Sequence, residues 1–385
     1  MQSGLDINQY LIDGVCHIKL TGSLDFDTTR KFDKEIEVAG SKYIILDMKQ
    51  CRYISSIGLR SLLMAYKNIT RIGGSMIISD VSQSVKEILE ITGFSKILDI
   101  RTPYREISLE GCEFISAGVC GECYRLDNET IVKLYGEGID SKIAEQEKKI
   151  AKEAFILGVP TAISYDIISC NKRFGIIYEM IDAKLFSSII IEDLESIPRY
   201  AVTLSKINKS IHAIKGDPQV FPDLKERFRG YINQMNVCLN PSEISFLQNQ
   251  LEKLPDSKQC VHSDLHTSNI MIRNNEPIII DMGDFSTGTY LFDIGLAYTI
   301  YGLEELKFSE LATKIPAAKG GELWKHFVKD YFSDKSEEEY VFFEQNKYFL
   351  GSLRLIYTIT FLPKLREQLS YILKDYLLPK MKGSV

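Results

Sequence analysis

At 385 residues, with 45% apolar and 25% charged side chains, the chain is long enough for two or three domains, each with its own core. A formal net charge of −6 leaves no basic footprint for nucleic acid. The longest apolar stretch, 348–362, is interrupted by Arg354, and the start MQSGLDINQY lacks a basic segment leading into an apolar one. Neither a membrane span nor a secretory signal is therefore expected. The eight cysteines are scattered without a disulfide framework, which suits a reducing cytoplasm.

Residues 1–106 read as an α/β unit. Cys16, Ile18 and Leu20 alternate on a strand, and Gly22-Ser23 turns the chain toward a helix over 27–37. A short buried strand over 43–46 ends at Asp47. Beyond Ser55-Ser56, Leu59, Leu62, Leu63, Tyr66 and Ile69 fall on one face of a helix. A strand over 76–78 and a helix over 85–92, with Gly93 just past its end, complete the unit. Strands alternating with helices at this spacing predict a sheet with helices packed against it.

The runs GSLD at 22–25, LDMKQCRYISSIGL at 46–59 and ITGFSKILDI at 91–100 resemble the STAS domain, the fold of bacterial anti-sigma-factor antagonists. The resemblance implies a protein partner. It also implies a phosphoacceptor at Ser56, within that family's D-S/T-S/T-G-L pattern, although Ser55 stands where the family carries Asp. The competing reading is that Ser55 or Ser56 simply caps the helix.

Residues 107–112 read as a short linker. A second domain then opens with strands over 113–115, 122–126 and 130–135. Gly118 and Gly121 lie in the loop between the first two, where glycine lets backbone N–H groups approach nucleotide phosphates, although a plain hairpin fits this loop equally well. Lys133 on the third strand has the position of the lysine that reaches the α- and β-phosphates in kinases. A helix over 141–157 supplies Glu145, Glu147 and Glu153 as candidate partners for that lysine. Cys120-Gly121-Glu122-Cys123 has C-x-x-C spacing. It lacks a second such pair and a strand-to-helix setting, so no zinc or redox role is expected. Strands over 164–169 and 174–179 lead into Glu179-Met180-Ile181, a hinge whose backbone at Glu179 and Ile181 would meet an adenine edge.

Helices are expected over 199–213, 224–237, 241–254, 303–313, 322–332 and 338–376. His212 reads as a packed helix residue rather than a ligand. Between the third and fourth of these helices lies VHSDLHTSNIMIRNNEPIIIDMGD, at 261–284. It presents His262-x-Asp264, Asn269 five positions further on, and Asp281 after the apolar run Ile278-Ile279-Ile280. Phosphoryl transfer needs a carboxylate to take the acceptor's proton, here Asp264, and oxygen ligands for Mg²⁺, here Asn269 and Asp281. A hairpin turning at 273–276 would bring the two segments together, with His262 as support.

This wording resembles the aminoglycoside phosphotransferase and choline kinase superfamily, whose pattern is HGDxHxxN followed by IDxxD; Ser263 replaces its usual Gly. The resemblance selects Glu147, eleven positions before Gly158-Val159-Pro160, as the Lys133 partner, and implies that Asp293 braces the catalytic loop. The expected architecture is thus an α/β STAS domain (1–106), then an α+β bilobal protein-kinase-like domain. Its N-lobe covers 107–181 and its mostly helical C-lobe 182–385. Twelve positions separate Asp281 from Asp293 and no Ala-Pro-Glu follows, which leaves no segment to dock a peptide. The expected activity is transfer of phosphate from ATP, with Mg²⁺, to a small hydroxyl or amino-alcohol compound in the cytoplasm. The alternative is a nucleotide-sensing regulatory protein, or a serine kinase, of a partner-switching pathway.

Overall fold

Cys16, Ile18 and Leu20 are buried on β2 (Val15–Leu24), but the chain enters the sheet earlier than expected. β1 (Leu5–Ile12) pairs antiparallel with β2 from Leu5↔Gly22 to Ile12↔Val15. Only Leu5 of this edge strand is buried, so it shows no alternation to read. The computed structural model describes residues 4–12, 14–101, 104–118 and 121–383, and the chain divides into two compact units, Met1–Arg105 and Glu106–Val385.

In the first unit α1 (Thr29–Ala39) leads to β3 (Tyr43–Ile54), which runs well past the expected end because it stays paired with β2 as far as Leu24↔Ile54, a half that the polar Lys49, Gln50 and Arg52 hide from hydrophobic patterning. α2 (Ser56–Arg71), β4 (Ser75–Ser79), α3 (Gln83–Ile91) and β5 (Asp99–Arg101) come next. The sheet order is β1-β2-β3-β4-β5, parallel from β2 onward. Leu20, Leu24, Leu46, Ile78, Leu62 and Phe32 form its core. Ser55 caps α2, its Oγ accepting the Gly58 N–H at 3.2 Å. A side chain at 58 would meet the Leu24 carbonyl oxygen at 2.2 Å, so this turn requires glycine. Ser56 is the exposed first residue of α2.

The second unit holds a sheet of β6 (Arg105–Glu106), β7 (Glu113–Ala117), β8 (Gly121–Arg125), β9 (Thr130–Tyr135), β10 (Ser164–Cys170) and β11 (Arg173–Glu179), with α4 (Ser141–Ile156) between β9 and β10 in sequence. The strand order is β6-β10-β11-β9-β8-β7. Residues 107–112, expected as a linker, belong to this unit. The Ile107 N–H donates to the Ser169 carbonyl at 2.9 Å, and Ile107 and Leu109 pack on Val132, Leu134 and Ile168.

Helices dominate the remainder of this unit. β12 (Lys184–Leu185), α5 (Phe186–Glu192), α6 (Ile197–His212), α7 (Leu224–Asn233) and α8 (Pro241–Glu252) precede the short strands β13 (Gln259–Val261), β14 (Ile270–Arg273), β15 (Glu276–Ile279) and β16 (Ser286–Gly288). α9 (Leu291–Ala297) is buried throughout, and α10 (Phe308–Thr313), α11 (Ala317–Tyr331), α12 (Glu337–Phe361), α13 (Arg366–Tyr371) and α14 (Leu378–Gly383) end the chain. Two expected helices are broken. The one over 303–313 is reduced to α10, because Lys307 takes a left-handed conformation at φ 54°. The one over 338–376 stops at Leu362-Pro363, where proline has no N–H to continue the ladder. Among the described residues no helix is long and apolar enough to cross a membrane.

Candidate functional site

The β14–β15 hairpin forms as expected. Asn274 and Asn275 both have positive φ (54° and 65°), the requirement of a tight two-residue turn whose twist matches the strands. It fixes the spacing between the loop 262–269 and Asp281. The Ile280 N–H donates to the Asn269 carbonyl at 3.0 Å, and His262 Nε2–H donates to the Ile280 carbonyl at 3.2 Å. His262 Nδ1 in turn accepts the Asp264 N–H at 3.3 Å, so this buried ring ties the loop to the strand.

Asp293 holds the same loop from below. Its carboxylate accepts the His262 N–H at 2.8 Å and the Ser263 N–H at 2.7 Å, and His212 Nε2 donates to it at 3.0 Å. Burial alone would raise the pKa of this fully enclosed carboxyl, but His212 and the loop donors overcome that and hold it below the ordinary value. His212 is packed, as expected, with Tyr331 Oη 2.8 Å from its other nitrogen. Its bond to Asp293 was not legible, since the two lie on separate helices 81 positions apart. Ser263 adopts φ 69°, a conformation that favours glycine, so the turn geometry is kept despite the serine.

Lys133 brings the two lobes to one point. Its Nζ lies 2.8 Å from Glu147 Oε1 and 2.7 Å from Asp281 Oδ1. Of the three candidate glutamates on α4, Glu147 is the buried one, and it also accepts the hydroxyls of Tyr135 and Tyr178. Burial alone would depress the Lys133 ammonium, yet the Glu147 and Asp281 charges outweigh it and hold its pKa well above the lysine value. Burial likewise would raise Asp281, and Lys133 keeps it lowered. Asp281 sits in the left-handed region at φ 63°, which turns its carboxylate out of the strand direction.

Asn269 Nδ2 donates to the Asp264 carbonyl at 2.9 Å, which leaves its side-chain oxygen as the atom available to a ligand. Among the described residues no three His, Cys, Asp or Glu side chains cluster as a self-sufficient metal site. A cation that keeps waters and phosphates needs only one or two protein oxygens, and Asp281 with Asn269 fits that donor set. Asp264 meets a partner that sequence reasoning missed: Arg354 Nη2 on α12, 2.9 Å from Oδ1. The contact is an ion pair of poor hydrogen-bond alignment, and among the described residues no other donor is aligned on Asp264 Oδ1. His266 Nε2 is 3.8 Å from the same oxygen, and burial pushes that imidazole's pKa down.

The glycine loop forms a hairpin, one of the two arrangements expected of it. The Gly118 N–H donates to the Gly121 carbonyl at 2.8 Å, closing a hairpin. A side chain at Gly121 would meet the Leu134 carbonyl oxygen at 2.1 Å, so this glycine serves the packing of β8 on β9. Val119 and Cys120 lie outside the described residues, and with them half of the C-x-x-C pair. Burial raises the thiol pKa of Cys123. At the hinge, the Glu179 N–H donates to the Ile163 carbonyl and the Met180 N–H to the Glu129 carbonyl. Glu179 thus offers only its carbonyl to a base edge, while Ile181 is buried beside it.

Residues 6–107 match the STAS domain, and residues 124–317 match the phosphotransferase enzyme family. The anti-sigma F factor antagonist of Paenibacillus polymyxa is 33% identical over 91 residues, 23% of this chain and 78% of that protein. Among solved structures, the ethanolamine kinase of Plasmodium vivax is similar at 16% identity and a TM-score of 0.48, over 72% of this chain and 85% of that one. An ADP-bound aminoglycoside phosphotransferase, APH(2'')-Ib, is similar at 17% identity and a TM-score of 0.48, over 74% and 97% of the two chains. The chain belongs to the phosphotransferase enzyme family through its kinase-like domain, and carries a STAS domain ahead of it.

Proposed function

We propose that this protein transfers the γ-phosphoryl group of ATP to the hydroxyl of a small molecule. The observation that carries this reading is the meeting of Lys133, Glu147 and Asp281 at 2.7–2.8 Å beside the loop that holds Asp264 and Asn269. The acceptor hydroxyl gives its proton to Asp264 as its oxygen forms a bond to the γ-phosphorus, the bond to the β-phosphate oxygen breaks, and ADP leaves. Lys133 neutralises phosphate charge, Glu147 holds the lysine in place, and Asp281 with Asn269 presents oxygens to Mg²⁺. When bound, Mg²⁺ supplies charge neutralisation and alignment of the phosphates. Asp293 and His262 fix the backbone of the loop that carries Asp264.

The STAS unit acts in this reading as a docking module for a protein partner, supported by the family match and by the relative named an anti-sigma F factor antagonist. The same reading places the work in the cytoplasm, where ATP is available and thiols such as those of Cys16 and Cys260 stay reduced. The test is ADP production by the full chain with Mg²⁺ and ATP, with and without a panel of small alcohols. No acceptor-stimulated ADP production, together with no ATP binding, overturns the proposal.

A further inference from the structure

Beside Ser263, α7 and α12 close on a cavity of about 20 Å³, room for roughly one water. Its polar lining is Arg227, Tyr231, Ser263, Asp284, Arg354 and Tyr357. Most of these groups are already engaged. Asp284 accepts from Arg227 Nη2 at 2.9 Å and from Tyr357 Oη at 2.7 Å, and Arg227 also reaches Tyr231 Oη and Ser286 Oγ. Arg354 differs. Among the described residues its one ion pair is with Asp264, and its guanidinium otherwise lies over the Tyr357 ring, 5.1 Å from the centroid. Two buried oxygens at this spot, Asp264 Oδ1 and Ser263 Oγ, have no hydrogen-bond partner among the described residues.

An acceptor hydroxyl must come within hydrogen-bond reach of Asp264, and Arg354 Nη2 already stands 2.9 Å from the Oδ1 of that carboxylate. We propose, resting on the kinase reading above, that the acceptor carries a carboxylate or phosphate beside its hydroxyl, and that Arg354 leaves Asp264 to bind that anion. The exchange conserves pairing: the guanidinium gains a bidentate anionic partner while Asp264 Oδ1 gains the hydroxyl proton donor it lacks. A cationic acceptor would do the reverse. It would compete with Arg354 for Asp264 and leave the guanidinium only the charge of Asp284, whose oxygens already accept from Arg227 and Tyr357. The proton then passes from the acceptor hydroxyl to Asp264 as the new P–O bond forms and ADP departs, with Arg354 as a specificity-determining residue.

The test measures ADP release by the full-length protein with Mg²⁺ and ATP under three conditions. These are no acceptor, anionic probes (glycerate and glycerol phosphate), and cationic probes (choline, ethanolamine and kanamycin). Anionic probes are expected to stimulate release about tenfold or more beyond cationic ones. Arg354→Gln should erase that preference through a raised KM, and Arg354→Lys should restore part of it. Without acceptor, Arg354→Gln should also raise basal ADP release, because the freed Asp264 can hold a water in the acceptor's place. Faster turnover with a cationic probe overturns the proposal. So does an Arg354→Gln protein whose probe response and basal release both match the parent. Loss of the kinase reading itself is seen separately, as absence of ATP binding by the parent protein or ADP release indifferent to Lys133→Ala.

Discussion

Lys133 and Asp281, 148 positions apart, meet at 2.7 Å, and Glu147 stands on the lysine's other side at 2.8 Å. The lysine therefore links the sheet of the smaller lobe to the segment that follows β15. Asp281→Ala is expected to abolish the Mg²⁺ dependence of ATP affinity. Lys133→Ala should lower turnover by about a hundredfold or more, as removal of an electrostatic stabiliser does elsewhere. Lys133→Arg should not restore it, since a planar fork does not fit between two carboxylates as a compact ammonium does. Titration of ATP with and without Mg²⁺, paired with turnover at saturating ATP, reads all three; a normal Arg variant would reduce Lys133 to a structural bridge.

Asp264→Asn should separate binding from chemistry. Lys133 and Asp281, the groups proposed to face the phosphates, pair with each other and with Glu147 rather than with Asp264, so ATP affinity should persist while transfer falls by about 10²–10⁴. Single-turnover measurement with saturating ATP decides it. Unchanged transfer in the variant would remove Asp264 from the role of base.

Much of this site was legible because it sits in one continuous stretch with a hairpin of fixed length. His262, Asp264, Asn269 and Asp281 needed only their spacing and the Asn274-Asn275 turn. Glu147 was chosen over Glu145 and Glu153 by likeness to relatives, and its burial among Tyr135 and Tyr178 gives the physical reason. Arg354, His212, Tyr357 and Arg227 were not legible. Each sits on a helix whose pattern marks only which face is buried, and their partners come from packing between helices far apart in sequence. β1 escaped for the opposite reason, as a mostly exposed edge strand has no buried face to betray it. The break at Lys307 has no glycine or proline to announce it.

Glu147 is expected to matter for stability as well as catalysis. It is the shared acceptor of Lys133, Tyr135 and Tyr178, so Glu147→Ala leaves two buried hydroxyls without this acceptor and Lys133 paired with Asp281 alone. Each hydroxyl left unsatisfied costs about 1–3 kcal/mol. A lower thermal transition of the kinase-like unit, together with weakened ATP binding, is the expected outcome in calorimetry. Glu147→Gln should lie between, because the amide oxygen still accepts a hydrogen bond but carries no charge.

Asp293 sets an acid limit. Its folded pKa is depressed, so it contributes stability at all pH values above the unfolded carboxyl value of about 3.9. That contribution is lost as pH falls from there through the lower folded value. Asp293→Asn should therefore destabilise the protein at neutral pH and flatten the stability curve below about pH 4. It should also lower kcat, since the His262 and Ser263 amides lose their anionic anchor. Denaturant unfolding across the acid range checks the first part, and an Asn variant with the parent's acid limb would refute it.

Ser56 is the last point at which the two domains could be joined chemically. It is exposed as the first residue of α2, so a phosphate there would face the helix's free N–H groups and add about −1.5 to −2 charges to the surface. Geometry at the acceptor serine thus permits phosphorylation. Ser55 stands where the family carries Asp, and its Oγ already holds the Gly58 N–H. The kinase-like domain argues against itself as the donor. After Asp281 comes the turn Met282–Asp284 and then β16, paired with β13, so the segment that would hold a peptide beside Asp264 is a short strand. We therefore expect the full-length protein, incubated with ATP and Mg²⁺, to leave Ser56 unmodified. Ser56→Ala should leave acceptor-dependent ADP release at the parent's rate. Mass spectrometry of the intact and digested chain reads the outcome. Stoichiometric phosphate on Ser56 that vanishes in Asp264→Asn would overturn this expectation and turn the protein into a serine kinase that switches its own docking module.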